Sequence, residues 1–224
     1  MTESADRSWA RAADRLGRDS ESSGEPTRWV EQLWSSAERD EIDIPWDRSD
    51  PFPDVADRIA ELGAGDGRRA VVVGAALGAD AEALARAGWA TTAFDISPAA
   101  VRMARERYPG SSVEYVVGDL LDRPEELVGA FDFVVEVFTV QAMPPNVREL
   151  ATAGIRRLIA PGGTAIVIQY VRDDTDTDSG PPWLLDRAEM EAFAGDGIEL
   201  DLEVRPAPGV YRKERIWVAT LTGS

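Results

Sequence analysis

Residues Arg69 to Ser97 read RAVVVGAALGADAEALARAGWATTAFDIS, and this stretch decides the fold. An unbroken apolar run, Ala70 to Val73, ends at Gly74. A glycine/alanine turn leads into a helix-forming run, Ala79 to Ala87, which Gly88 stops. A second apolar run, Ala90 to Phe94, ends on Asp95. Continuous apolar runs suit parallel strands buried on both faces, and parallel neighbours need a crossover helix between them. The spacing predicts strand, turn, helix, strand and then an acid.

That order makes a nucleotide-sized site. Gly74 and Gly78 permit a sharp turn and close ligand approach, and the next helix begins with free N–H groups at its positive end. Asp95 follows Gly74 by about 20 residues, the distance at which a carboxylate meets the two hydroxyls of a ribose. A dinucleotide and S-adenosylmethionine both fit so far. The dinucleotide fingerprint places glycines at the first, third and sixth positions, here Gly74, Ala76 and Ala79, and meets one of three. Alternate spacing, Gly74, Ala76 and Gly78, meets two of three and suits S-adenosylmethionine, which carries no pyrophosphate.

Composition narrows the chemistry. The chain has 224 residues, no cysteine and no histidine, and a formal net charge of -17, with Lys213 its only lysine. A disulfide framework, a cysteine zinc site, a thiol nucleophile and the commonest general base are therefore ruled out. So acidic a chain, without a basic run, should repel nucleic acid. No apolar span approaches transmembrane length and the first residues lack a signal core, so no membrane partner and a cytoplasmic location are expected.

Working outward, residues 1–25 read as a mobile arm with a marginal helix that Ser20 to Gly24 breaks. Residues 26–224 read as a single domain whose segment 26–66 is a helical cap. Trp29, Val30, Leu33 and Trp34 form a packing stripe on a helix from Pro26. The proline-rich segments Ile44–Asp47 and Asp50–Pro53 bring Trp46 ahead of the first core strand. A helix, Asp54 to Leu62, precedes that strand. Ser97 caps a helix from Pro98 to Arg107. Val113 to Val117 is a third strand ending near Asp119 and Leu120. Phe131 to Val137 is a fourth strand with Glu136 near its end, and the loop Phe138 to Met143 follows. Pro144–Pro145 start a helix that Ala160–Gly163 stop before a fifth strand, Thr164 to Val171. Asp186 to Ala194 is helical. Two closing strands, Ile198 to Arg205 and Glu214 to Leu221, form an antiparallel hairpin.

These motifs together resemble a class I S-adenosylmethionine-dependent methyltransferase, and more narrowly the thiopurine methyltransferase-like branch. The residues that carry the resemblance are Pro45–Trp46–Asp47, VVVGAALGADAEALA from Val71, TAFDIS from Thr92, GDLLD from Gly118, FDFVVEV from Phe131 and Ala160–Gly163. The resemblance implies an α/β, Rossmann-like seven-stranded sheet in the order 3-2-1-4-5-7-6, last strand antiparallel, with helices on both faces. It implies S-adenosylmethionine as cofactor and a small-molecule methyl acceptor, a thiol, amine or hydroxyl. It places Gly74, Ala75, Ala76 and Gly78 at the methionine portion, Asp95 and Ile96 at the ribose, Asp119 and Leu120 at the adenine, and Glu136 beside the transfer site. Ala76 departs from the family's usual glycine. Over the carboxyl edge, Trp46, Thr139, Gln141, Tyr170 and Trp183 are the candidate acceptor contacts. No catalytic residue and no metal ligand stand out. Glu136, Tyr170 and Tyr211 are the available bases, though methyl transfer from a sulfonium needs positioning more than a base. The acidic loop Arg172 to Gly180 is expected to stay open by self-repulsion; Trp183 either docks over the acceptor pocket when ligand binds or simply packs under the following helix. The chain reads as a monomer or homodimer. Two other readings share the pattern: a nicotinamide-dependent oxidoreductase and a non-catalytic S-adenosylmethionine-binding protein.

Overall fold

The computed structural model describes residues 2–44, 46–122, 125–176, 179–209 and 213–224. Pro45 and Tyr211, named above, lie outside the described residues, as does Asp178 of the acidic loop. Seven strands build one sheet: β1 (Arg69–Val73), β2 (Ala90–Asp95), β3 (Glu114–Val117), β4 (Phe131–Val137), β5 (Ile159–Tyr170), β6 (Ile198–Pro206) and β7 (Arg215–Gly223). Their spatial order is β3-β2-β1-β4-β5-β7-β6, as expected. β1 pairs in parallel with β2 and β4, while β7 runs antiparallel to both β5 and β6. Seven α-helices accompany them among the described residues: α1 (Thr2–Ser23), α2 (Arg28–Glu38), α3 (Pro53–Leu62), α4 (Ala79–Arg86), α5 (Pro98–Arg107), α6 (Arg148–Leu158) and α7 (Arg187–Glu191).

The period-two alternation of the strands divides the core into two halves. Ala70, Val72, Phe133, Val135, Ile166 and Ile168 face one side with Val55 and Ile59 of α3, Leu84 of α4 and Val101 of α5. Val71, Val73, Val134, Ala165 and Val167 face the other with Ala151, Ile155 and Leu158 of α6. Central strands buried on both faces have no polar face to show, hence their unbroken apolar sequence.

Several local expectations need correction. α1 runs unbroken to Ser23, and the chain turns only at Gly24, with φ 75°. Packing overrides the weak propensity of Ser20 to Ser23: Ala13 is 1 % exposed and joins a cluster with Trp29, Leu33 and Trp183. The hydroxyls of Ser22 and Ser23 bond back to carbonyls three residues earlier, which suits a helix end. Pro161–Gly163 do not precede the fifth strand but lie within β5. There the register slips, from Phe131 opposite Ile159 to Phe133 opposite Thr164, so the irregular residues bulge out of the ladder. The α-helix expected over Asp186 to Ala194 covers only Arg187–Glu191, started by a capping box between Asp186 and Glu189.

The acidic loop is not held open by repulsion. Asp173 pairs with Arg215, Asp176 with Lys213, and Arg172 with Asp186. Cations from β7 and its approach neutralise acids that sequence alone left uncompensated. Trp183 is 3 % exposed in the cluster beneath α1 and α2. Its N–H donates to the Gln141 carbonyl at 2.8 Å, and its own carbonyl accepts from Arg148 Nη2 at 2.8 Å.

Candidate functional site

The site forms at the carboxyl ends of β3, β2, β1 and β4, where an open parallel sheet leaves its crevice. In the turn after β1, φ is positive at Gly74 (63°), Ala76 (49°) and Gly78 (88°). Alternate glycines are thus a backbone requirement, and Ala76 meets it under strain worth about 1–2 kcal/mol. Gly74 is further constrained by space: a Cβ there would lie 2.2 Å from Thr139 Oγ1. That hydroxyl donates to the Val73 carbonyl at 3.0 Å and ties the end of β1 to the loop after β4. Gly78 makes equally close room for the Tyr115 hydroxyl.

Asp95 closes β2 and is 5 % exposed. Its Oδ2 accepts from the Ala76 N–H and its Oδ1 from the Ser97 N–H, both at 3.0 Å. Burial pushes its carboxyl up to about 6, against the backbone donors of Ser97, Ala76 and Ile96, which favour the charged form. Each carboxylate oxygen keeps a second acceptor position. At the end of β3, Asp119 Oδ1 accepts from the Leu121 N–H at 2.8 Å, which fixes the turn carrying Leu120.

Beyond β4, Phe138 has φ 61°, an uncommon strain for an aromatic residue. It stacks on Tyr170 with ring centres 4.4 Å apart and meets the edge of Phe52 at 5.5 Å. Glu136 is fully buried. Its Oε1 accepts from the N–H groups of Thr139 (2.6 Å) and Val140 (3.0 Å), and its Oε2 accepts from Gln169. Gln169 in turn accepts from the Gln141 N–H at 3.1 Å, and the Gln141 side chain accepts from the Tyr170 N–H at 2.7 Å. Burial lifts Glu136 to about 7, with those hydrogen bonds opposing.

These elements bound a cleft of about 1030 Å³, counting its solvent-open mouth. Gly74, Ala75, Ala76, Asp95, Ile96, Asp119, Leu120, Trp46 and Thr139 all line it. Gly78, Glu136, Gln141, Tyr170 and Trp183 do not. Gly78 lies behind the turn, at the start of α4. Glu136 and Gln141 hold the loop from within the protein, while Tyr170 supports Phe138 from behind. Trp183 underpins the cap.

Sequence reasoning missed the roof of the cleft. Trp29, Val30 and Trp34, read as packing, also line it. Trp46 sits among Trp9, Trp29 and Trp34 with ring centres 6.0–6.2 Å apart. Trp29 Nε1 donates to the Ala142 carbonyl at 3.1 Å. Glu31 accepts from the Ser97 hydroxyl and from the Ala99 N–H (3.2 Å), so α2 caps the start of α5. Arg48 and Asp80, also missed, form an ion pair on the cleft wall. Only the apolar spacing of α2 hinted at the roof; which side of that stripe faces the cleft is decided by distant partners.

No group of His, Cys, Asp and Glu suited to a metal ion occurs among the described residues. No described helix is long and apolar enough to cross a membrane.

Comparison with known proteins gives a consistent result. The methyltransferase domain family matches residues 70–163, from β1 into β5. A probable thiol methyltransferase 2 of Arabidopsis thaliana is 28% identical over 183 residues, spanning 76% of this chain and 78% of that protein. Thiocyanate methyltransferase 1 of the same plant is 30% identical over 163 residues, spanning 70% and 69%. Among solved structures, the N-methyltransferase NodS of Bradyrhizobium japonicum, in complex with S-adenosyl-L-homocysteine, superposes with a TM-score of 0.64 at 22% identity. That match covers 85% of this chain and 97% of that one.

Proposed function

Because the chain belongs to the class I S-adenosylmethionine-dependent methyltransferases, we propose that its acceptor is a small sulfur nucleophile, a thiol or a thiocyanate-like anion. The observation that carries this reading is the lining at the transfer end of the cleft, which among the described residues offers no free base. The lining there is Trp29, Trp46, Val137, Phe138, Thr139, Ala142 and Met143. The nearest acid, Glu136, is enclosed with both oxygens committed to hydrogen bonds. A protonated amine or an alkyl hydroxyl needs a base to become nucleophilic. A thiol with its pKa near 8.5 ionises appreciably at neutral pH without one, and thiocyanate is already an anion. The thiol and thiocyanate methyltransferases among the relatives agree with this class.

The residues fit the cofactor. Three aspartates, Asp80, Asp95 and Asp119, line a cleft that would receive a sulfonium and an ammonium. Asp95 has acceptor positions left for the ribose hydroxyls, while Asp119 and the turn at Leu120 suit the adenine. Ala75, Ala76 and Ile96 offer backbone along the route. When bound, S-adenosylmethionine supplies a methyl group that its sulfonium already makes electrophilic. The protein's part is to hold donor and acceptor in line and keep water out, which the tryptophan roof and Phe138 are placed to do.

The test is a panel of acceptors followed by release of S-adenosylhomocysteine. Small thiols and thiocyanate should outpace amines and alcohols; with a thiol the rate should rise with pH along the thiol's own ionisation, and with thiocyanate, an anion throughout, it should not. Preference for an amine or hydroxyl acceptor would overturn the sulfur assignment.

A further inference from the structure

Arg48 is the only cation among the described residues that line the cleft, set against three aspartates in a chain of net charge -17. Its Nη2 lies 2.7 Å from Asp80 Oδ2, and its Nη1 lies 3.4 Å from both Asp80 Oδ1 and the Asp50 carbonyl. Asp80 is buried and also accepts from the Phe52 N–H at 2.7 Å. The pair is therefore fixed: a buried carboxylate, held by a backbone donor, aims a guanidinium that stays partly exposed on the cleft wall. A guanidinium carries five donor hydrogens, and three bonds leave capacity for more.

The position of the pair along the cleft is equally specific. Asp119 follows β3 and Asp95 ends β2. Phe52, bound to Asp80, packs on Phe138 just beyond β4. The span from β3 to β4 is three strand spacings, about 14 Å, comparable to an extended S-adenosylmethionine. With adenosine at Asp95 and Asp119, the amino-acid end of the cofactor falls by Gly74–Ala76 and Arg48. That end carries the cofactor's one negative group.

We propose that Arg48 receives the methionine carboxylate of S-adenosylmethionine, and that Asp80 is the positioning residue that aims it. This rests on the cofactor placement given above. Bidentate guanidinium–carboxylate pairing is stronger than an ordinary hydrogen bond and fixes orientation. It would set the reach of the sulfonium toward Thr139–Met143. The acids around it make the cleft hostile to a carboxylate anywhere else.

The test compares calorimetric binding of S-adenosylmethionine with that of its decarboxylated form, which keeps sulfonium and ammonium but lacks the carboxylate. The parent should bind S-adenosylmethionine about ten- to a hundredfold more tightly, the range for a charge-assisted hydrogen bond. Arg48→Gln should remove that preference by weakening S-adenosylmethionine alone, and Arg48→Lys should restore part of it. Equal weakening of both ligands in Arg48→Gln would mean that Arg48 only shapes its loop, and the proposal would fall. Unchanged binding of both would also overturn it. Asp95→Ala separates this from the placement itself, since it should weaken both ligands. If it weakens neither, the placement is wrong, whatever Arg48 does.

Discussion

At the scale of single residues, Ala76 and Asp95 are the informative pair, joined by a hydrogen bond of 3.0 Å. Ala76 carries a β-carbon at φ 49°, where glycine would be unstrained. Ala76→Gly should therefore stabilise the protein by about 1 kcal/mol after the added freedom of the unfolded chain is counted, read as a raised Tm. Its effect on S-adenosylhomocysteine affinity tests the non-catalytic reading: a large gain would show that the methyl group crowds the cofactor, whereas unchanged affinity shows it is tolerated. Asp95→Ala should weaken binding by about 1–3 kcal/mol. The same carboxylate predicts a pH dependence. With its pKa near 6, Asp95 becomes protonated in the free protein below that pH and accepts less strongly. S-adenosylhomocysteine affinity should then fall as pH drops from 7 to 5, and Asp95→Asn should flatten that fall.

At the scale of elements, the loop after β4 is held by a carboxylate that never meets solvent. The raised pKa of Glu136, about 7, means that the native state binds more protons than the unfolded chain between about 4.5 and 7. The linked stability is full below the unfolded pKa and declines as pH rises to about 7, by on the order of 3 kcal/mol, then levels. Asp95 adds to the lower part of that slope. Denaturant titrations at pH 5 and pH 8 should show the acidic sample more stable. Glu136→Gln should flatten the profile. It should also lower stability throughout, because an amide there would turn its NH2 toward the Gln169 donor. A Glu136→Gln profile as steep as the parent's would place the slope elsewhere.

At the scale of the whole molecule, the cleft has a rigid floor and a separately anchored roof. The floor is the carboxyl edge of four strands whose side chains are packed on both faces. The roof is α2 with the Trp46 loop, joined to the rest by Glu31 at the start of α5, by Trp29 at Ala142, and by the Arg107–Asp47 and Arg48–Asp80 pairs. α1 covers α2 from outside. The roof's apolar contacts, Trp34 on Leu77, Ala99 and Ala100 and Trp29 with Leu33 on Trp183, are fewer than those within the two-faced sheet core, which predicts lower local stability for the roof than for the sheet. Hydrogen exchange should show α1 and α2 exchanging before β1 and β4. S-adenosylhomocysteine should slow exchange in α2 more than in α6. Equal exchange of roof and floor in the free protein would contradict the division.

The sheet order was implied by the resemblance to a family; the sequence by itself determined the strand ends near Asp95 and Asp119 and the turn from Gly74 to Gly78. These follow from short-range rules: apolar runs long enough for buried strands, a crossover helix between them, and glycines where φ must be positive. α5 lies where Ser97 and Pro98 put it, because a cap acts within one turn. Glu136 was legible as an acid near a strand end, but not as a side chain turned inward, since Gln169 and the loop amides that hold it come from elsewhere in the fold. The roof was the least legible. Trp29 and Trp34 are apolar residues that could pack anywhere; of the roof only Trp46 stood out beforehand, as the aromatic ahead of the first core strand. Arg48, Asp80 and Glu31 are charges whose partners lie 32 to 68 residues away. Tertiary structure decided which of them face the cleft, because burial and ion pairing depend on what the fold brings alongside rather than on what precedes or follows in the chain.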